Sequence, residues 1–216
     1  YIRDIRGTPG GITVFFAGCN FSCPFCNVPD LVEQKSEFLV DLREVKQQIS
    51  SLMGSSVLFT GGEPLLQKTA LLDLLAFCKE QKLEACVHTN GSKPDVLKAL
   101  LDSGFLSKVV MDVKVPLDDS SLLKSVTRAG TFFEPLEEVR QNIIKSLELL
   151  SLHEVEVNFV TLIVPGLMYK KEDFLAIASM LEQRSCVWEL RAFTNGIVLE
   201  KQFQKVESPT LQFIQN

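Results

Sequence analysis

No apolar run in this 216-residue chain approaches the ~20 residues that a helix needs to cross a bilayer. The longest, such as Val160 to Val164 interrupted by Thr161, are strand-sized. No signal-peptide pattern is legible, and the sequence opens at Tyr1 rather than Met. Long runs of one charge sign are missing as well. The formal net charge is −5, and no run of five like charges occurs, so nothing offers the basic face that a nucleic-acid backbone requires. Cysteine is scarce: six in the whole chain, too few for a disulfide scaffold at this length. Cys78, Cys86 and Cys186 fall singly inside apolar segments, where Cys behaves as a small hydrophobe. These absences point to a reducing, cytoplasmic protein that uses neither membrane nor nucleic acid.

A 46% hydrophobic content at this length suits a single domain over 1–216 with a full core. Strand and helix signals alternate along it. Strands are expected at Ile12–Ala17, Val57–Thr60, Ala85–Thr89, Lys108–Val113, Val155–Val164 and Cys186–Phe193, each stopped by Gly, Asn-Gly, Pro-Gly or a polar residue. Helices are expected from the Asp41 capping box through Met53, and over Leu71–Lys82, Pro94 to Gly104, Pro135–Leu152 and Glu172–Gln183. Six β-then-α units imply an α/β fold, a parallel sheet covered by outer helices.

The remaining cysteines are concentrated. Cys19, Cys23 and Cys26 form a C-x3-C-x2-C loop directly after the first strand. Closely spaced thiolates wrap an iron–sulfur cluster with little loop-closure entropy. A 4Fe-4S cube needs four ligands and the loop offers three, which leaves one iron open for chemistry. Structural zinc needs four N/S ligands, and no second Cys or His pair of suitable spacing follows.

Parallel sheets collect ligands at the carboxyl ends of their strands, and the polar residues of interest fall there. Gly61-Gly62-Glu63-Pro64 ends the second strand; it lets carbonyls and a carboxylate approach an amino group, though a plain glycine turn with a solvated Glu reads the same. Thr89 and Asn90 close the third, with a hydroxyl and an amide suited to ribose or to an Asn-Gly turn. Asp112 and Lys114 share one side of the fourth strand and make either an ion pair or a carboxylate site. Pro165-Gly166 and Arg191 to Thr194 end the last two strands. His88, opposite in direction to Thr89, reads as a packed or hydrogen-bonded strand residue, and His153 as surface.

With the three-cysteine loop, Phe25 before its last Cys, and Gly-Gly-Glu-Pro together, the chain resembles the radical S-adenosylmethionine (SAM) enzymes. That resemblance implies an incomplete (β/α)6 TIM-like barrel. Cys19, Cys23 and Cys26 would hold a 4Fe-4S cluster whose open iron chelates SAM. Gly61, Gly62 and Glu63 would contact the SAM amino group, Thr89 and Asn90 would serve the ribose, and Asp112 with Lys114 the carboxylate end. Reductive cleavage would then give methionine and a 5′-deoxyadenosyl radical that abstracts hydrogen.

The stretches Thr89-Asn90-Gly91-Ser92, Met111 to Pro116, Thr161 to Gly166, Leu190 to Phe193 and Pro9-Gly10 resemble the glycyl-radical-enzyme activases, especially those of anaerobic ribonucleoside-triphosphate reductase. The implied partners are a glycyl radical enzyme as protein substrate and a flavodoxin- or ferredoxin-type reductant. Two positions depart from that pattern. Asn27-Val28 stand where His-Asn is usual, and His88 stands where an Asp helps hold a monovalent cation with Met111-Asp112, which leaves the cation site incomplete. Thr60 to Gln67 also resembles the 7-carboxy-7-deazaguanine synthases, which act on a small molecule. A non-catalytic cluster protein that only carries electrons or binds a partner is the third reading.

Overall fold

The inner strands of the sheet are sealed on one face and partly open on the other, and that asymmetry positions the site. The computed structural model describes residues 1–9, 11–182 and 184–210. Its strands are β1 (Ile2–Thr8), β2 (Gly11–Phe16), β3 (Ser56–Gly61), β4 (Glu84–Thr89), β5 (Lys108–Asp112), β6 (Glu156–Ile163) and β7 (Val187–Ala192). Among the described residues six helices cover them: α1 (Leu42–Ser51), α2 (Lys68–Glu80), α3 (Pro94–Asp102), α4 (Ser120–Thr127), α5 (Leu136–Leu152) and α6 (Lys171–Leu181). Strand order follows chain order, β1 to β7, and the row does not close on itself. β2 to β7 run parallel, so the fold is an unclosed (β/α)6-type barrel.

Alternation along the strands explains the two faces. Val14, Phe16, Val57, Phe59, Ala85, Val87, Val109 and Met111 lose all solvent contact in one core with Val45, Leu71, Leu75, Leu97 and Leu100 of the helices. Each large apolar side chain sealed this way contributes about 1.5–3 kcal/mol relative to exposure. Between them, Phe15, Thr60, His88, Asp112 and Arg191 face the concave side and line its mouth.

Two elements depart from the sequence reading. β1 is an extra strand, antiparallel to β2, so the sheet has seven strands rather than six. Its Arg3, Asp4 and Arg6 break the apolar pattern that marks a buried strand, as befits a sheet edge. Helix α4 was not expected, being one short Ser-rich segment whose N-cap Asp119 accepts a hydrogen bond from Leu122 N (2.8 Å). The expected capping residue of α1 is in place, with Asp41 accepting from Arg43 N. The ends of two expected features, Gly10 and Gln183, lie outside the described residues, as do residues 211–216.

Candidate active site

The carboxyl ends of the parallel strands surround a cavity of about 440 Å³. Its wall includes Cys19, Cys23 and Cys26, Gly61 and Gly62, Thr89 and Asn90, and Asp112 with Lys114. Residues from four strand ends, chosen for their chemistry, thus share one chamber. Glu63 does not line it. Pro165-Gly166 also stays out of the wall, in the turn where Val164 pairs with Met168.

Main-chain bonds to distant segments set the path of the cysteine loop. Gly18 N and Cys19 N donate to Leu31 O (2.7 Å) and Val32 O (2.9 Å), and Ser22 N to Thr127 O (2.9 Å). Cys26 N closes a turn onto Cys23 O (2.9 Å), and Phe21 N–H points at Cys19 Sγ (3.4 Å). All three thiols are free. Burial, aided by the Glu63 carboxylate, pushes the Cys19 thiol up to about 12; burial takes Cys23 to about 11 and also raises Cys26. The Lys114 ammonium favours the thiolate at all three. Metal loading therefore has to displace protons.

Three free thiols on one loop, all lining one cavity, fit three corners of a 4Fe-4S cube. Cys78, Cys86 and Cys186 are absent from the cavity wall, so the loop supplies three ligands and no fourth.

Glycine is required at the β3 end by proximity to that loop. Gly62 N donates to Phe16 O (2.9 Å) and Glu63 N to Gly18 O (2.7 Å). A methyl group on Gly62 would overlap the carbonyls of Gly18 and Leu31, the latter at 2.7 Å. Gly61 has φ +117°, a conformation that side chains disfavour.

Glu63 turns inward and is fully buried. Its Oε1 accepts from Leu65 N (3.0 Å) and Thr89 Oγ1 (2.8 Å), its Oε2 from Asn90 N (2.7 Å). Burial raises its carboxyl and these three donors oppose the rise. It ties the end of β3 to the end of β4. Asn90 Oδ1 accepts from Ser92 N (2.9 Å), and its Nδ2 donates to Asn20 Oδ1 (3.0 Å), while Asn20 Nδ2 donates to Ser92 Oγ (2.8 Å). The cysteine loop is thereby latched to the β4 turn.

Asp112 lies between two basic partners, Lys114 Nζ at 2.6 Å and His88 Nε2 at 2.8 Å. Burial works against its ionisation, but Lys114 and His88 outweigh it and hold the carboxyl well below the usual range. Burial likewise opposes the Lys114 charge, and Asp112 reverses this and raises its pKa. The ion pair and the hydrogen-bonded histidine are both present, and His88 also enters the cavity wall. The stabilisation from Asp112 is present above its ordinary pKa of about 4 and is lost as pH falls through the lower folded value. Asp112→Asn should therefore flatten the acid limb of a thermal-melt series on the metal-free protein below about pH 5, and leave the slope between about pH 5 and 7 unchanged.

Sequence reasoning missed Asn20, Ser92 and Gln67. Gln67 Nε2 donates to Ala17 O (2.9 Å) and Tyr1 O (3.0 Å), which anchors the chain just before the cysteines. Asn20 could have been suspected from its place inside the motif. Nothing local marks the others.

An unclosed parallel barrel with a three-thiol loop at its mouth defines a metal-cluster enzyme of the half-barrel class. The Radical SAM superfamily profile matches residues 13–181, and the chain belongs to that superfamily. Its members use a 4Fe-4S cluster and SAM. The chain is 28% identical over 197 residues to a Methanocaldococcus jannaschii protein named "Putative glycyl-radical enzyme activating enzyme", covering 91% of this chain and 78% of that one. The pyruvate formate-lyase-activating enzyme of Clostridium pasteurianum is 28% identical over 175 residues, 78% of this chain and 68% of that one. A 7-carboxy-7-deazaguanine synthase of Clostridium acetobutylicum is 31% identical over 144 residues, 64% and 62% of the two chains. A solved radical SAM methyltransferase from Sphaerobacter thermophilus superposes with a TM-score of 0.63 at 16% identity, over 98% of this chain and 63% of its own, a likeness of fold alone. No helix among the described residues is long and apolar enough to cross a membrane.

Proposed function

We propose that this chain activates a glycyl radical enzyme, drawing a hydrogen atom from a backbone glycine of a partner protein. The observation that carries the reading is the unclosed sheet. β7 ends the row without pairing with β1, and the cavity wall extends onto Leu162 of β6 and Arg191 of β7, the strands nearest that free edge, which suits the approach of a partner's loop. The relatives from M. jannaschii and C. pasteurianum support it by their names and by their coverage of most of this chain. When bound, the cluster and SAM supply one-electron cleavage of the sulfonium to a 5′-deoxyadenosyl radical.

The residues divide the remaining work. Cys19, Cys23 and Cys26 would hold the cluster, and the cavity they line would take SAM. The main chain at Gly61 and Gly62 takes the amino group, and Lys114, kept charged by Asp112, takes the carboxylate. Thr89 and Asn90 stand by the ribose, and Glu63 acts through them by fixing their positions. His88 gives Asp112 a basic partner in the place that a monovalent cation would otherwise take. A flavodoxin- or ferredoxin-type reductant in the cytoplasm completes the scheme.

Anaerobically reconstituted protein, reduced and given SAM, should generate a glycyl radical on its partner, read as an electron paramagnetic resonance doublet. Formation of 5′-deoxyadenosine with consumption of a small molecule and no protein radical would refute this reading. The second reading, a 7-carboxy-7-deazaguanine synthase, draws on the match of Thr60 to Gln67 and on the C. acetobutylicum relative. Ammonia release from 6-carboxytetrahydropterin would establish it. Asn27-Val28 depart from both patterns, from the His-Asn of the activases and from the Asp followed by Thr or Ser of the synthases, and so favour neither reading.

A further inference from the structure

After β7 the chain runs back to the cysteine loop and lies against it. Leu199 N donates to Cys26 O (3.0 Å) and Glu200 N to Pro24 O (2.9 Å). The short 3-10 turn Lys201–Lys205 then inserts Phe203, which is 8% exposed, between two aromatic rings. It meets Phe25 edge-on at 6.5 Å and Phe193 at 6.3 Å. Arg128 Nη2 reaches Glu200 Oε1 (3.2 Å) from the segment whose Thr127 carbonyl already holds Ser22.

We propose that Leu199–Val206 is a strap that keeps the Cys23–Cys26 turn in ligand-bearing shape, with Phe203 and the Glu200 amide as its positioning groups. Two consecutive amides bond to the two carbonyls that bracket Phe25, so the strap fixes the main chain on both sides of that ring. Phe203 then fills the space beside the ring and keeps water from the back of the turn. Neither group faces the cavity; they act through Cys23 and Cys26. The inference rests on superfamily membership and is independent of which substrate the radical attacks.

Paired variants separate the parts. Phe203→Ala removes the packing, and Phe203→Leu restores most of its volume. Glu200→Pro deletes the amide donor, whereas Glu200→Ala keeps it and loses only the exposed side-chain contacts with Arg128 and Gln202. Each protein is reconstituted anaerobically, and iron release to EDTA is followed by absorbance, with the reduced cluster examined by electron paramagnetic resonance. Circular dichroism checks the fold. Outer groups that orient metal ligands are worth about 10–100-fold in metal affinity, so Phe203→Ala and Glu200→Pro should release iron faster by about that factor and alter the cluster signal. Phe203→Leu and Glu200→Ala should stay near wild type. Folded Phe203→Ala and Glu200→Pro proteins with wild-type iron release and spectra would overturn the proposal. So would equal acceleration by Glu200→Ala and Glu200→Pro, which would assign the effect to the side-chain contacts. If Phe203→Ala fails to fold, the two Glu200 variants decide alone.

Discussion

Alanine at Cys19, Cys23 or Cys26 should abolish cluster binding, whereas alanine at Cys78, Cys86 or Cys186 should leave it near normal. The contrast is one of position. The first three thiols share the cavity wall, and the loop that carries them is held at Leu31, Val32 and Thr127. Cys78 is fully buried in α2 as an apolar filler, and Cys86 sits partway along β4, below the mouth. With only three ligands available, loss of one leaves a cube held by two thiolates, and no other cysteine of the cavity wall substitutes. Iron and acid-labile sulfide per chain, with the absorbance of the cluster, read the outcome. Retention of a full complement of iron by any of the three loop variants would mean that the ligand set has been assigned wrongly.

The second large effect is expected at Gly62. Gly62→Ala sets a methyl group against the carbonyls of Gly18 and Leu31, both main-chain atoms that cannot swing aside. Relief requires the cysteine loop to shift as a body, because Glu63 N holds Gly18 O and Gly18 N holds Leu31 O. Overpacking of this sort costs about 1–3 kcal/mol in stability. The larger consequence is for metal: iron content after reconstitution should drop by about tenfold or more, in line with the sensitivity of metal sites to displaced ligands. Gly196→Ala, where no atom lies within 4 Å of the added carbon, should bind iron as wild type does. Equal iron in the two variants would show that the glycine pair is not set by its closeness to the loop.

The parallel strands were legible because a strand covered by helices carries an unbroken apolar run, as in Val57 to Phe59 or Val109 to Met111. β1 was not, because its charged residues belong to an edge that solvent reaches. The mouth residues were legible by their place at strand ends, and all but Glu63 and Pro165-Gly166 reach the cavity. The direction of Glu63 was hidden, since Gly-Gly-Glu-Pro reads alike whether the carboxylate meets water or buried amides. Its partners, Thr89 and Asn90, come from the next strand and become neighbours only through the parallel pairing of β3 with β4. The strap was hidden for a similar reason. Leu199 to Val206 has no periodicity of its own, and it acquires meaning only from contact with Pro24 to Cys26.

Because each strand pairs with its neighbour in the chain, the sheet can grow in the order in which it is synthesised. The contact of Leu199 and Glu200 with Cys26 and Pro24 breaks that order, since it joins the first parallel crossover to the segment beyond β7. The nascent cysteines therefore emerge early and wait uncovered while nearly the whole sheet is laid down beside them. Until that last contact forms, the carbonyls on either side of Phe25 lack their amide partners, so the turn reaches its final shape only when the end of the chain arrives.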